Sequence, residues 1–162
     1  MYQSLVRPVA LYGAETWALM PTLERILDTT EMSWLRQLVH VSRWQELTND
    51  EVRRRAQCPV ALSEVARQAR LRYYGHLSRL PHERAPNRAL LRDTPGHRRQ
   101  GHPPTTWLQL LTMDAATRGL TLQDLASLAP DRNKYRTAVV YAARMDGRPT
   151  RAQTRRPQSP RS

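Results

Sequence analysis

Apolar positions along this chain recur every three to four residues rather than every second one, so the pattern is helical and predicts no strand. Pro21 suits a helix start and Glu24 its first turn, and Leu23, Leu27, Trp34, Leu38 and Val41 carry the stripe to about residue 41. Thr48-Asn-Asp-Glu51 has the spacing of a capping box, Thr48 accepting from the backbone and Glu51 reaching back. The short helix it opens runs through Arg53-Arg54-Arg55 and stops before Pro59. From about Ala61 to Leu80 a second long helix rests on Leu62, Val65, Ala69, Tyr73, Leu77 and Leu80. Arg67 and Arg70 flank one side of that stripe, Arg72 and Arg79 the other. All four are expected in solvent, with Arg67 and Arg70 replaceable at little cost in stability.

Thr106, Trp107, Leu110, Leu111 and Ala115 suit another helix, ended by Gly119. Thr121-Leu-Gln-Asp124 caps a short helix to about Leu128, and Asp131 opens a last one with Tyr135, Val139 and Ala142 inward. Residues 3–12 contain Arg7-Pro8 and support only a short or kinked helix. Residues 81–104 are punctuated by proline and glycine and read as loop, with one helical turn near Asn87–Leu91. The expected fold is all-α: a small helical domain of about five or six helices over residues 1–146, carrying a basic Gly/Pro-rich loop. Residues 147–162 are too polar and proline-rich to offset the entropy of ordering, and are expected to form a disordered basic tail.

Charge sharpens this outline. The net charge is +12, and 25 of the 26 basic residues are arginine, Lys134 being the exception. Arginine makes planar bidentate contacts to phosphates and guanine edges, so a polyanionic partner, RNA or DNA, is expected. A GC-rich gene explains the scarcity of lysine equally well, but not the placement of charge. Residues 1–50 hold 4 arginines against 6 acids, whereas residues 51–100 hold 12 against 4. The candidate contacts in and around that block are Arg53, Arg54, Arg67, Arg70, Arg72, Arg79, Arg98, Arg99 and His102. Tyr74 and Trp44 fall off the apolar stripes and are candidates for stacking on a base. Trp17, Trp34 and Trp107 lie on the stripes and read as packing.

Catalytic and metal signals are weak. Cys58, His76, His82, His97 and His102 match no zinc spacing, so no metal and no cofactor is expected. His76 lies near the apolar face and reads as a packed core histidine. Asp50-Glu51 reads as helix capping rather than an acid–base pair. A single cysteine excludes an internal disulfide and favours a reducing compartment. With no signal peptide and no run long enough to span a bilayer, the expectation is an intracellular protein, nuclear or cytoplasmic, not secreted. Neither a membrane nor a small-molecule substrate is expected as a partner.

Five blocks in order carry a resemblance. Tyr12-Gly-Ala-Glu-Thr-Trp17, Leu35-Arg-Gln-Leu38, Thr48-Asn-Asp-Glu-Val-Arg-Arg-Arg55, Leu71-Arg-Tyr-Tyr-Gly-His-Leu-Ser-Arg79, and Gly96-His-Arg-Arg-Gln-Gly-His-Pro103 ending at Trp107 form the series. Together they resemble the region after the polymerase core of LINE-type (non-LTR) retrotransposon reverse transcriptases, over roughly residues 1–140. Tyr73-Tyr74 stands where the family has an aromatic pair ending in phenylalanine, and Gly101-His102-Pro103 where it has Gly-Arg-Pro, one charge fewer.

The resemblance implies a thumb-and-beyond fragment that begins where fingers and palm have ended and holds a template–primer duplex or the element's own RNA. Reverse-transcriptase chemistry needs metal-binding aspartates, usually including an Asp-Asp pair, and no such pair occurs in this sequence. The expectation is therefore a nucleic-acid-binding chain without catalysis of its own. The alternatives are a helical interaction or scaffold protein, a retroelement remnant without a selected role, or a truncated form of an active RNA-directed DNA polymerase.

Overall fold

The computed structural model describes residues 2–42, 44–91 and 106–141, and among these the chain is all-α, with no strand. A π turn at Tyr2–Val6 leads into α1 (Arg7–Ala10), and a 3-10 turn at Ala14–Thr16 precedes α2 (Pro21–Leu38). Then come α3 (Asn49–Arg55), α4 (Leu62–Leu77), α5 (Ala85–Leu91), α6 (Trp107–Ala116), α7 (Leu122–Leu128) and α8 (Arg132–Arg136). A second π turn at Thr137–Tyr141 continues α8. The short α1 and α5 carry the number past the five or six expected. The loop segment containing Arg98, Arg99 and His102, and the tail 147–162, lie outside the described residues.

The ends follow local chemistry. Thr48, Thr106 and Thr121 each accept from the backbone N–H three residues on, and Gln109 and Asp124 close true capping boxes. Glu51 does not reach back as expected; its carboxylate receives Arg54 and Arg55 instead. α6 ends in a Schellman motif: Gly119, at φ 67°, donates to Ala116, and Leu120 donates to Ala115.

α4 is the shaft of the molecule, packing on α2, α6, the Ala14–Thr16 turn and the last π turn. Of three apolar clusters, α4 contributes to two. Leu71 joins Leu111, Ala115, Leu125, Ala129, Tyr135 and Val139; Ala66 joins Ala14 and Leu19; Tyr2, Met32, Leu35, Val52 and Cys58 form the third. Trp107, Trp17 and Trp34 pack against these clusters in that order, as their spacing suggested.

The buried side of α4 differs from the expected stripe. It consists of Leu62, Ser63, Ala66, Arg70, Leu71, Gly75 and Leu77, while Val65, Ala69, Tyr73 and Leu80 are half-buried. Three polar or small residues lie inside because distant residues satisfy them. Asp28 accepts from the Ser63 hydroxyl at 2.7 Å, and Asp114 accepts from the Arg70 Nε at 2.7 Å. The Tyr135 ring covers Gly75, where an added Cβ would sit 2.7 and 2.9 Å from ring carbons.

Likewise α2 turns Glu24, Glu31, Met32 and Leu35 inward, and leaves Leu23 and Leu38 about half exposed. Glu31 is fully buried between Arg7 at 3.1 Å and Arg53 at 2.7 Å, and also accepts from the Leu62 backbone N–H. Buried charge is tolerable only when paired this completely. No described helix is long and apolar enough to cross a membrane.

Candidate nucleic-acid interface

Much of the central basic block is spent inside the fold. Arg70 is fully buried; its Nε and Nη2 grip both Asp114 oxygens, at 2.7 and 3.2 Å, and its Nη1 donates to the Trp17 carbonyl at 3.1 Å. The expectation that Arg70 faces solvent and meets phosphate is corrected: an arginine at this position solves the problem of Asp114, not that of a ligand. Arg67 is mostly buried and bidentate on Glu24, which raises its pKa, so it too is removed from the free surface. Arg53 is mostly buried on Glu31. Arg54 stays exposed, but both its Nε and Nη2 are bound to Glu51, at 2.9 and 2.8 Å. Arg54, with Arg55 beside it, holds the Glu51 carboxyl at about 2, the hydrogen bond from Arg54 contributing most and that from Arg55 next. Tyr74 is half-buried against the Leu71–Tyr135 cluster rather than offered for stacking. Trp44, by contrast, is 93 % exposed.

Some of the unspent charges converge elsewhere. Arg72 and His76 leave α4 one turn apart on the same face, and Arg79 joins them from the turn that ends the helix. Tyr135 docks α8 against that face. Its hydroxyl donates to the Leu71 carbonyl at 2.5 Å, and its ring lies over Gly75, where no side chain stands in the way. Burial pushes the Tyr135 pKa up, so the phenol remains a neutral donor. Arg132 and Arg136, one turn apart on α8, flank the docked tyrosine and face the α4 arginines.

The result is an open cleft of about 480 Å³ lined by Arg72, His76, Arg79, Arg132, Tyr135 and Arg136. Four guanidinium groups and an imidazole meet there, and among the described residues no carboxylate lines it. Arg72, Arg132 and Arg136 are exposed and make no ion pair among the described residues. Arg79 is tethered, its Nη1 donating to the Ala129 carbonyl at 2.9 Å, while its buried Nε has no partner among the described residues. Asp131, the acid next along from Arg132, spends its carboxylate on the Asn133 and Lys134 backbone N–H groups, which lower its pKa.

Like charges held around one concavity repel, and no carboxylate among the described residues lines it to offset them. An anion would. No family model matches the chain, and no curated protein or solved structure matches it. The geometry therefore stands alone as evidence for the site.

Of the expected contacts, Arg72 and Arg79 lie in the cleft, Arg53, Arg67 and Arg70 do not, and Arg54 is committed to Glu51. His76, read as a packed core residue, is exposed in the cleft. Arg132 and Arg136 were missed; their four-residue spacing about an apolar tyrosine was the available signal. Among the described residues, no group of three His, Cys, Asp or Glu is placed to hold a metal ion.

Proposed function

We propose that this chain binds RNA or DNA through its backbone, without catalysis of its own, as a C-terminal, post-polymerase region of a LINE-type retrotransposon reverse transcriptase does. The observation that carries the reading is the cleft of four arginines and a histidine with no lining carboxylate among the described residues. A concave patch of one sign focuses field and raises the local concentration of its counter-charge, and a polyanion releases condensed counterions on docking there. The five sequence blocks support the retroelement origin, and one of them, Leu71–Arg79, supplies half the cleft. The lack of an Asp-Asp pair in the sequence supports a non-catalytic role.

The test is fluorescence anisotropy of a labelled oligonucleotide against the wild-type chain and the Arg72→Ala/Arg132→Ala/Arg136→Ala variant. Loss of most of the affinity supports the reading, and unchanged affinity ends it.

One observation favours a second reading, a helical interaction protein. Leu5, Val6, Val9 and Tyr12 form an exposed apolar stripe near the start of the chain, and Leu23, Ile26 and Leu38 lie 45–57 % exposed on α2. A scaffold of that kind would bind nucleic acid feebly and indifferently to the three cleft substitutions.

A further inference from the structure

The cleft has an aromatic neighbour. At 100° per residue, Arg72, His76 and Tyr73 fall in that order within an arc of about 100° on α4, and Arg79 follows in the turn just beyond its end. The cations lie at one edge, the phenol ring at the other, and the imidazole in between. The Tyr73 and His76 ring centroids are 6.4 Å apart with planes inclined by 30°. Tyr73 in turn stands edge-on to Trp107, centroids 6.2 Å apart at 88°, and the Trp107 indole is fixed by donating to the Glu15 carbonyl at 2.8 Å. The His76 ring is thus backed by an anchored aromatic pair. It is exposed, and its side chain makes no hydrogen bond among the described residues.

We propose that the cleft takes a single-stranded nucleic acid, its phosphates among Arg72, Arg79, Arg132 and Arg136 and an unpaired base stacked on His76 beside Tyr73. The inference rests on the nucleic-acid reading of the cleft and specifies its ligand. A duplex hides the faces of its bases and offers this site only phosphates; a single strand offers both. Every base has a π-face, so a ring beside a cationic groove recognises strandedness rather than sequence. Neither Tyr74 nor Trp44, the rings singled out by sequence, takes part: Tyr74 is turned into the core, and Trp44 does not line the cleft.

Three labelled ligands of equal length separate the possibilities: a thymidine strand, the same strand with abasic sites throughout, and a blunt duplex. The wild-type chain is expected to bind the thymidine strand about five- to a hundredfold more tightly than the abasic one, the range that one stacked base provides. His76→Ala should erase that difference, and His76→Trp should restore it. Equal affinity of the wild-type chain for thymidine and abasic strands, or tighter binding of the duplex, overturns the inference, and neither comparison requires a variant to fold. If all three ligands bind equally and all are weakened by the cleft arginine substitutions, single-strand selection fails while the backbone-binding function stands. If those substitutions change nothing, the function fails and this inference with it.

Discussion

Truncating Arg70 to alanine removes three hydrogen bonds and strands a carboxylate in the protein interior. The Asp114 side chain is 5 % exposed and receives two of those bonds; the third satisfies the Trp17 carbonyl. Removing one partner of a buried ion pair costs about 3–5 kcal/mol, mostly through the uncompensated charge left behind. Arg67 remains 3.7 Å from Asp114 and softens that loss, so about 3 kcal/mol is expected. For a chain of this size that lowers Tm by roughly 6–12 °C, at about 2–4 °C per kcal/mol. Arg72→Ala, on the neighbouring exposed position, should stay within about 0.5 kcal/mol of wild type. Urea unfolding followed by tryptophan fluorescence measures both. The double variant Arg70→Met/Asp114→Leu, which removes both charges, should recover most of the stability. If Arg70→Ala is no more destabilising than Arg72→Ala, the buried network is wrong and the free-arginine count at the surface is wrong with it.

Two further outcomes follow from the geometry. Gly75→Ala places a methyl group within 2.7 and 2.9 Å of Tyr135 ring carbons and should cost about 1–3 kcal/mol; because it displaces α8, it should also weaken oligonucleotide binding, although residue 75 itself carries no charge. Glu51, held at about 2 against an ordinary 4.5, contributes stability to α3 that is complete above pH 4.5 and lost as pH falls toward 2. An NMR titration of its side chain should show that low midpoint in wild type and a return toward 4.5 in Arg54→Ala/Arg55→Ala, and an ordinary midpoint in wild type would contradict the pairing.

Helix positions were legible because their signals are local. Pro21, the Thr48 and Thr121 caps and Gly119 each act within four residues, and the helices begin and end where these residues dictate. Which side of a helix is buried was not legible in the same way. Arg70 finds Asp114 across 44 positions and Arg67 finds Glu24 across 43, and no spacing rule reports such a pairing. Counting arginine as a surface residue rotated the α4 core face and overstated the free charge between residues 51 and 100. The same error hid the cleft, half of whose arginines are Arg132 and Arg136, brought into place only when Tyr135 settles over Gly75.

The most direct test of the cleft as the binding site is the dependence of affinity on salt. The wild-type chain is compared with Arg72→Ala/Arg132→Ala/Arg136→Ala, and with a control that removes three exposed arginines that do not line the cleft, Arg25, Arg84 and Arg88. Both variants lose the same net charge. Each phosphate contact contributes about 0.7–0.9 to the slope of log K against log salt, so loss of the cleft should flatten it by about two to three units. The control should keep a slope close to wild type. Equal flattening by both variants, or flattening by neither, would show that the cleft is not where the nucleic acid is held.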